Sequence, residues 1–599
     1  MGLYTQKIKH SILLLVVHLG LVGCHSKAPL SLVSPKEIRA QIESNTLPEL
    51  GSNLSEQEIE KNNIEKQILY LIQSKEATRA IEIYLDYKKR TGELHLPLLQ
   101  ELALAEFKVD LKQQKLEQQL SLLYGASLVK NTELLPLLSK ALSSYHPIIQ
   151  LVAVDALGQI DDDRAEQLLN QAASSVYLST VFEAIYQLAY KKSPYALGQL
   201  NALSYKLEGI ERSFLPALFA LEGSPEAIQV LRQFLNEPNS EIVLESIIAA
   251  GDYQHDELVE DVIRAAQNFS IAHQEASALT LAKFKDKKAV PILESLTMSS
   301  ELTVRLAARY ALYQLGQYSQ KGSLEEEAIK SENLFAIFLL GKIEGTGEVL
   351  KIFLENAKLS VRVNAAMALL EQRDPSCLNV LLNDILLKDE RDLAFKAQYS
   401  LGKGLTAWKE VPSAQINLKK NPALAEASLK MREAILQTSA HLPEDSFTKI
   451  CVALFEKHQN DLIPTLIDTI ESLNSTSSIN LLRHYQHKIG APFIRQYCLL
   501  ALFCLNEIKE HRNLLLEWVK QQQSERLVRF RPIITSKDEK SYTSTEITPE
   551  EGSRLLIETF EALADQQNEE GIETLLRAIA YGHKNNRPIL AGLLLHAIQ

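Results

Sequence analysis

The sequence predicts an all-α protein, a right-handed α-solenoid of stacked helix pairs with helical caps at its N- and C-terminal ends. The first observation behind this is a register. Nine apolar residues (Leu157, Leu188, Leu221, Ala250, Leu281, Leu312, Leu340, Leu369 and Leu401) follow one another at steps of 28 to 33 residues. Four positions before them stand Ala153, Ala184, Ala217, Ser246, Ser277, Ala308, Ala336, Ala365 and Ala397, all of them Ala or Ser. Residues four apart share a helix face. A small residue there lets a neighbouring helix approach, and the apolar mark fills the remaining space. The second observation lies between the marks, where a short polar turn leads into another amphipathic helix. Asp161-Asp162-Asp163 before Ala165–Leu169 and Lys285–Lys288 before Ala289–Leu293 are two cases. One helix pair per period of about thirty residues is the signature of a stacked helical array. The third observation is a hydrophobic fraction of 46% spread evenly along the chain, enough for a long continuous core.

Two units carry a further likeness. Glu301–Ala308 reads E-L-T-V-R-L-A-A and Ser360–Ala366 reads S-V-R-V-N-A-A. Both resemble the V-R-x-x-A-A-x-A-L stretch of HEAT repeats, of the short type first named from phycobilisome lyases. The resemblance covers roughly residues 133–404 and implies a HEAT-like solenoid. Gln150, Gln274 and Asn333 stand where the repeat has its Arg, which leaves the role of that position open. Bilin attachment does not follow, because the repeat occurs in unrelated proteins and a fold does not carry chemistry. Gly158, Gly251, Gly341 and Gly402 directly follow marks, where a helix end tolerates glycine.

The chain opens with Lys7 and Lys9, a short apolar run from Ile12 to Leu19 broken only by His18, and Leu21-Val22-Gly23-Cys24. A run this short is a secretory signal rather than a membrane span. L-V-G-C resembles the lipobox of a bacterial lipoprotein precursor, which implies cleavage before Cys24 and lipidation of its thiol. An ordinary signal peptide with an incidental cysteine is the alternative. His25, not Asp, follows Cys24, and within the same resemblance this implies the periplasmic side of the outer membrane. Residues 1–23 are therefore read as the signal peptide and 24–52, with Pro29, Pro35 and Pro48, as a tether. Residues 53–132 read as an N-terminal helical cap in which Glu76–Lys89 and Leu96–Val109 resemble a tetratricopeptide hairpin. The repeats occupy 133–404. The register is lost over 405–449, read as a spacer or irregular helices, and returns over 450–528, where Leu473 and Leu502 fit the template. Residues 529–549 read as a loop and 550–599 as a C-terminal helical cap, begun by Thr548-Pro549-Glu550-Glu551.

With 63 basic and 75 acidic residues the net charge is −12, and loss of a leader holding two lysines makes it more negative. That disfavours nucleic-acid binding. Cys377, Cys451, Cys498 and Cys504 form no C-x-x-C and read as helix thiols, Cys498 with Cys504 being the one conceivable local pair. H-E-x-x-H, G-x-S-x-G, Walker A and EF-hand patterns are all missing, so no catalytic residue, metal or cofactor is assigned. Gly341–Gly347 reads as an inter-repeat turn. His484 and His487 read as a solvated pair or metal ligands, and Arg526, Arg529 and Arg531 with Phe530 as an exposed loop or an anion dock.

One pattern bears on binding. Two positions before the marks stand Asp155, Tyr186, Phe219, Ile248, Leu279, Tyr310, Phe338, Met367 and Tyr399. This position lies 160° from the mark at 100° per residue. Tyr186, Phe219, Tyr310, Phe338 and Tyr399 are the candidate partner-binding residues; the competing reading packs the stripe against the first helices of the repeats. The function expected is a lipid-anchored scaffold or adaptor that binds a protein partner, of unknown identity, at the membrane surface. A lipoprotein holding lipid or cell-wall glycan is the alternative, and an enzyme a more distant third.

Overall fold

The computed structural model describes residues 56–388, 393–412, 422–488, 490–505, 509–522, 524–527, 547 and 549–599. Cys24, the signal and most of the tether-to-cap junction lie outside the described residues, as do Arg529, Phe530 and Arg531. The first helices are α1 (Glu56–Gln73), α2 (Ala77–Thr91), α3 (Leu96–Ala105), α4 (Leu116–Ser127) and α5 (Leu135–Leu142). Next come α6 (Pro147–Gly158), α7 (Asp163–Ala172), α8 (Leu178–Tyr190), α9 (Ala196–Lys206), α10 (Leu215–Glu222), α11 (Pro225–Phe234), α12 (Ser240–Asp252), α13 (Val259–Ala266) and α14 (Ile271–Phe284). They continue as α15 (Val290–Leu296), α16 (Leu302–Gln314), α17 (Gln320–Ser331), α18 (Leu334–Gly341), α19 (Gly347–Ile352), α20 (Leu359–Glu371) and α21 (Leu378–Val380). A hairpin of β1 (Leu393–Tyr399) and β2 (Leu405–Pro412) interrupts the helices. After it follow α22 (Pro422–Ser439), α23 (Glu444–Glu456), α24 (Ile463–Leu473), α25 (Thr476–Tyr485), α26 (Pro492–Cys504), α27 (Lys509–Gln522), α28 (Pro549–Asp565), α29 (Glu569–Tyr581) and α30 (Arg587–Ala597). The described residues form two compact units, one of 153–518 with 547–555, the other of 56–152, 519–527 and 556–599.

In the first unit the chain is an α-solenoid of stacked helix pairs. Eight marks, Leu157 to Leu369, lie on the even-numbered helices α6 to α20 and none is more than 8% exposed. Their small partners Ala153 to Ala365 are buried as well. Polar starts set the helix ends: Asp162, Ser224, Asn239 and Ser270 each accept a backbone N–H of the helix they precede. Side chains then tie each repeat to the next at the repeat spacing. Gln199 to Asn170, Arg232 to Asp261 and Lys342 to Glu371 all bridge 29 residues, at 2.7, 2.9 and 2.9 Å. Arg432 to Asp461 and Tyr485 to Glu456 bridge 29 residues too, at 2.5 and 2.7 Å, so the same spacing links α22 to the turn before α24 and α23 to α25.

The substituted arginine position also resolves. Arg305 and Arg362 donate to the carbonyls six residues earlier, Ser299 and Asn356, each at 2.7 Å. Gln150 and Gln274 donate to Ser144 and Asn268, again six residues earlier, at 2.7 and 2.9 Å. A neutral amide thus holds the same turn. Asn333 does something different and caps α18 by accepting from Phe335 and Ala336.

Gly158, Gly251 and Gly341 lie at helix ends as expected, and the structure adds a second reason for glycine there. A Cβ on Gly158 would stand 2.3 Å from the Gln187 side chain, one on Gly251 2.6 Å from Thr280, and one on Gly341 2.8 Å from Ala368. All three partners sit one position before the next mark, so these glycines serve close helix approach rather than a left-handed end. Gly341→Ala is expected to destabilise the protein by about 1–3 kcal/mol through overpacking. Gly198→Ala, at a helical position with nothing within 4 Å, should instead stabilise by about 0.5–1 kcal/mol. Urea midpoints of the two variants would show the opposite signs.

The ninth mark is not part of the ladder. Ala397 lies on β1 and Leu401, 66% exposed, in the turn after it. The strands pair as a hairpin that buries Ala394, Phe395, Thr406 and Ala407, and the Ser400–Gly404 turn carries two glycines; that turn outweighs one coincidence of spacing.

In the second unit, helices from both ends of the chain pack as one body. α30 lies against α3 and α4, and α29 against α2. α4 and α30 meet backbone to backbone: a Cβ on Gly592 would stand 2.2 Å from the Gly125 carbonyl oxygen. Around this contact Arg587 donates to Thr78 at 2.9 Å, Arg526 pairs with Glu117 at 2.8 Å and Lys88 with Glu569 at 3.3 Å.

Candidate partner-binding face

Positions nine, five and two before the mark and two after it follow steps of four, three and four residues, so they share one face of each even-numbered helix. From α12 to α20 that face carries the hairpin. β1 and β2 pair antiparallel from Leu393 opposite Pro412 to Gln398 opposite Ala407, with an irregularity before Tyr399. β2 packs on α18 and α20, and β1 on α22. The Asn364 amide of α20 donates to the Trp408 carbonyl at 2.7 Å and accepts the Trp408 N–H at 2.8 Å. A side chain thus supplies both hydrogen bonds that a third strand would give to the β2 edge.

The turn reaches further back along the row. A Cβ on Gly402 would lie 3.0 Å from the Ala276 nitrogen and 3.1 Å from the Ala272 carbonyl oxygen, so backbone meets backbone at α14. A Cβ on Gly404 would instead meet a side chain, 3.0 Å from the Leu279 Cδ1. Between them Lys403, at φ +57°, sends its ammonium to Glu245 at 2.6 Å and to Glu241, both on α12. Burial works against the Lys403 charge, but the two carboxylates outweigh it and hold its pKa above the ordinary value.

Glu275 of α14 lies beneath this turn. It is fully buried, and neither carboxylate oxygen has a hydrogen bond of good geometry. Burial pushes its pKa up, offset only in part by the Ser400 and Thr303 hydroxyls. A carboxyl with a raised folded-state pKa favours the fold while protonated and loses that contribution as pH rises through the raised value. Glu275→Gln is therefore expected to be more stable than the native chain at neutral pH. The advantage should shrink as pH falls through the raised value towards 4.5, the ordinary carboxylate value, and be gone below it, where the glutamic acid is neutral in both states. Thermal midpoints of both chains across that range would check it.

The candidate stripe divides in two. Tyr186 and Phe219 are 3% and 0% exposed and belong to the core, not to an accessible site. Phe219 meets Phe234 of α11 edge-on at 5.5 Å, and Tyr186 stacks on Tyr190 at 6.2 Å. Burial raises the Tyr186 pKa to about 12. The two-layer packing needs these side chains inside. Tyr310 and Phe338 are half-buried on the same row, and α18, which carries Phe338, packs against β2. Lys342 stands over the Phe338 ring at 5.0 Å and pairs with Glu371 at 2.9 Å. Tyr310, Lys342, Glu371 and Arg373 line an open polar depression. Tyr399 is 49% exposed but sits on β1 instead of a helix.

Glu241, Glu245, Glu275, Asn364, Lys403 and Trp408 escaped the sequence reading. The signal was Ser400–Gly404 between two stretches of alternating pattern. Gly341–Gly347 is a turn, in which Thr346 donates to the Leu340 carbonyl at 2.8 Å. His484 faces Tyr485 edge-on at 5.0 Å. Among the described residues no group of three or more His, Cys, Asp or Glu is arranged to hold a metal, and no helix is long and apolar enough to cross a membrane. Cys377, Cys451 and Cys498 are buried free thiols, and Cys504 is exposed.

Residues 228–313, within this stacked-pair solenoid, match the HEAT-repeat family. No curated protein matches the sequence. Among solved structures, the chain is similar to the CpcE–CpcF complex of phycocyanin lyase from Nostoc sp., at 19% identity over 36% of this chain and 92% of that one, TM-score 0.28. It is also similar to UNC-45 from Drosophila melanogaster, at 13% identity over 88% and 83%, TM-score 0.30. A third likeness is to the karyopherin Kap121p bound to the extreme C-terminus of the protein phosphatase Cdc14p, at 11% identity over 84% and 61%, TM-score 0.35.

Proposed function

We propose that this protein is a lipid-anchored scaffold of the bacterial cell envelope that holds a protein partner on the α12–α20 face. One observation carries the binding reading: Tyr310 and Phe338 remain partly open on a helix row where extended chain already lies. Half-buried aromatics beside a charged rim are the make-up of a protein-binding hot spot. The lipobox-like L-V-G-C supports anchoring through Cys24, and a tethered scaffold raises its partner's concentration at the membrane. His25 after Cys24 supports the outer membrane, periplasmic side.

In-cell cross-linking, affinity purification and mass spectrometry on the native chain and on Tyr310→Asp/Phe338→Asp test the binding half. One stoichiometric protein, lost in the variant while helicity stays intact, is the expected result. Recovery of no protein from the native chain would overturn the scaffold reading and turn attention to lipid and glycan ligands. Cys24→Ser tests the anchor separately. It should abolish N-terminal acylation by mass spectrometry and release the protein from membranes, and a native N-terminus without lipid would refute it.

A further inference from the structure

The hairpin turn is seated as a ligand would be. The strands bury Ala394, Phe395 and Ala407, but the turn and the β2 edge are held on α12, α14 and α20 by Lys403 with Glu241 and Glu245, by Gly402 and Gly404 against α14, and by Trp408 with Asn364. Leu401 and Tyr399 at its tip face outward, 66% and 49% exposed, so the tip does not draw its hold from burying them. Three carboxylates surround the turn against the single Lys403. The third, Glu275, is buried without a well-formed hydrogen bond, and its Oε1 lies 3.9 Å from where a Cβ of Gly404 would stand. Lifting the turn would leave an acidic site with a floor of Ala272, Ala276 and Leu279. Only chain without side chains beside its cation approaches that floor so closely.

We propose that Glu241, Glu245 and Glu275, with the Asn364 clasp, form a recognition site for an extended basic polypeptide segment, a Lys or Arg flanked by glycine. In the structure the chain's own β1–β2 hairpin occupies this site. The partner segment replaces the hairpin, taking Lys403's place between Glu241 and Glu245 and Trp408's place on Asn364. This rests on the partner-binding reading above and adds the chemistry of what is bound. A partner lost on changing Tyr310 and Phe338 while the hairpin behaves as described below leaves both intact. A partner unaffected by that change overturns the earlier reading alone.

The probe is a fluorescein-labelled synthetic peptide of residues 393–412, used in native and K403E forms on the full mature chain. The first unlatched chain is Asn364→Leu/Lys403→Glu. The second is Glu241→Lys/Glu245→Lys, which keeps Lys403 and repels it. Deuterium uptake over 394–411 should be at least tenfold faster in both than in the native chain. The native peptide should bind the first at least tenfold tighter than it binds the native chain, whose site is filled. The second should reverse the preference and bind the K403E peptide. The second chain keeps the test alive if the first fails to fold. Unchanged exchange in a folded unlatched chain, or faster exchange with no gain in peptide binding, would overturn the proposal.

Discussion

Gly592→Ala is expected to destabilise the unit built from the chain ends by about 3 kcal/mol, the upper end of the usual cost of overpacking. The new Cβ would meet the Gly125 carbonyl oxygen at 2.2 Å and its carbonyl carbon at 2.9 Å. Backbone cannot rotate out of the way as the end of a side chain can, so α4 and α30 must separate. Gly125→Ala meets the Pro588 carbonyl oxygen at 2.3 Å and should behave alike. Because both changes break one contact, the double variant should cost less than the two single costs combined. Urea titration gives the magnitudes, and hydrogen exchange should show the loss centred on α2–α4, α29 and α30. Two fully additive costs would mean that the glycines do not act through the same approach.

Asp461→Asn is expected to cost about 4 kcal/mol, because it strands a buried cation. The Arg432 side chain is 3% exposed and meets Asp461 at 2.5 Å, the Leu386 carbonyl at 2.9 Å and Gln459 at 3.1 Å. Arg432→Met should cost less, about 2–3 kcal/mol, since the aspartate left behind is 35% exposed and water can take over its hydration. The ordering matters more than either figure. Equal losses in denaturant titrations of the two variants would mean that the pair acts through packing, not charge.

The repeat was legible because its signal is redundant. A small residue, an apolar mark and a polar turn each recur, so Leu157 to Leu369 are found even where one feature is weak. The arginine position was legible only as a loss. That Gln150 and Gln274 do the same work depends on a carbonyl six residues away, which composition does not reveal. Tyr186 and Tyr310 occupy the same register position yet one is core and the other borders open surface. The difference comes from the chain packed over them, and no local pattern encodes it. The hairpin was hidden by its own spacing. Ala397 and Leu401 match the helical template by chance, and only the alternation around Gly402 and Gly404 argued otherwise. The contact between Gly125 and Gly592 joins residues hundreds of positions apart, beyond the reach of any periodicity.

That last contact sets an order of events during synthesis. Thr78 finds Arg587, and Glu82 finds Tyr581, only after some five hundred intervening residues have been made. The solenoid repeats need only their neighbours and can consolidate as they emerge. Helices α1 to α4 cannot, because the α29 and α30 faces that cover them do not yet exist. The first helices to leave the ribosome or a translocon are thus among the last to be finished, with Leu99, Leu123 and Tyr84 uncovered meanwhile. Over that interval they need a holdase or rapid delivery, and truncation near residue 580 would leave an N-terminal segment prone to aggregation while the central repeats still fold.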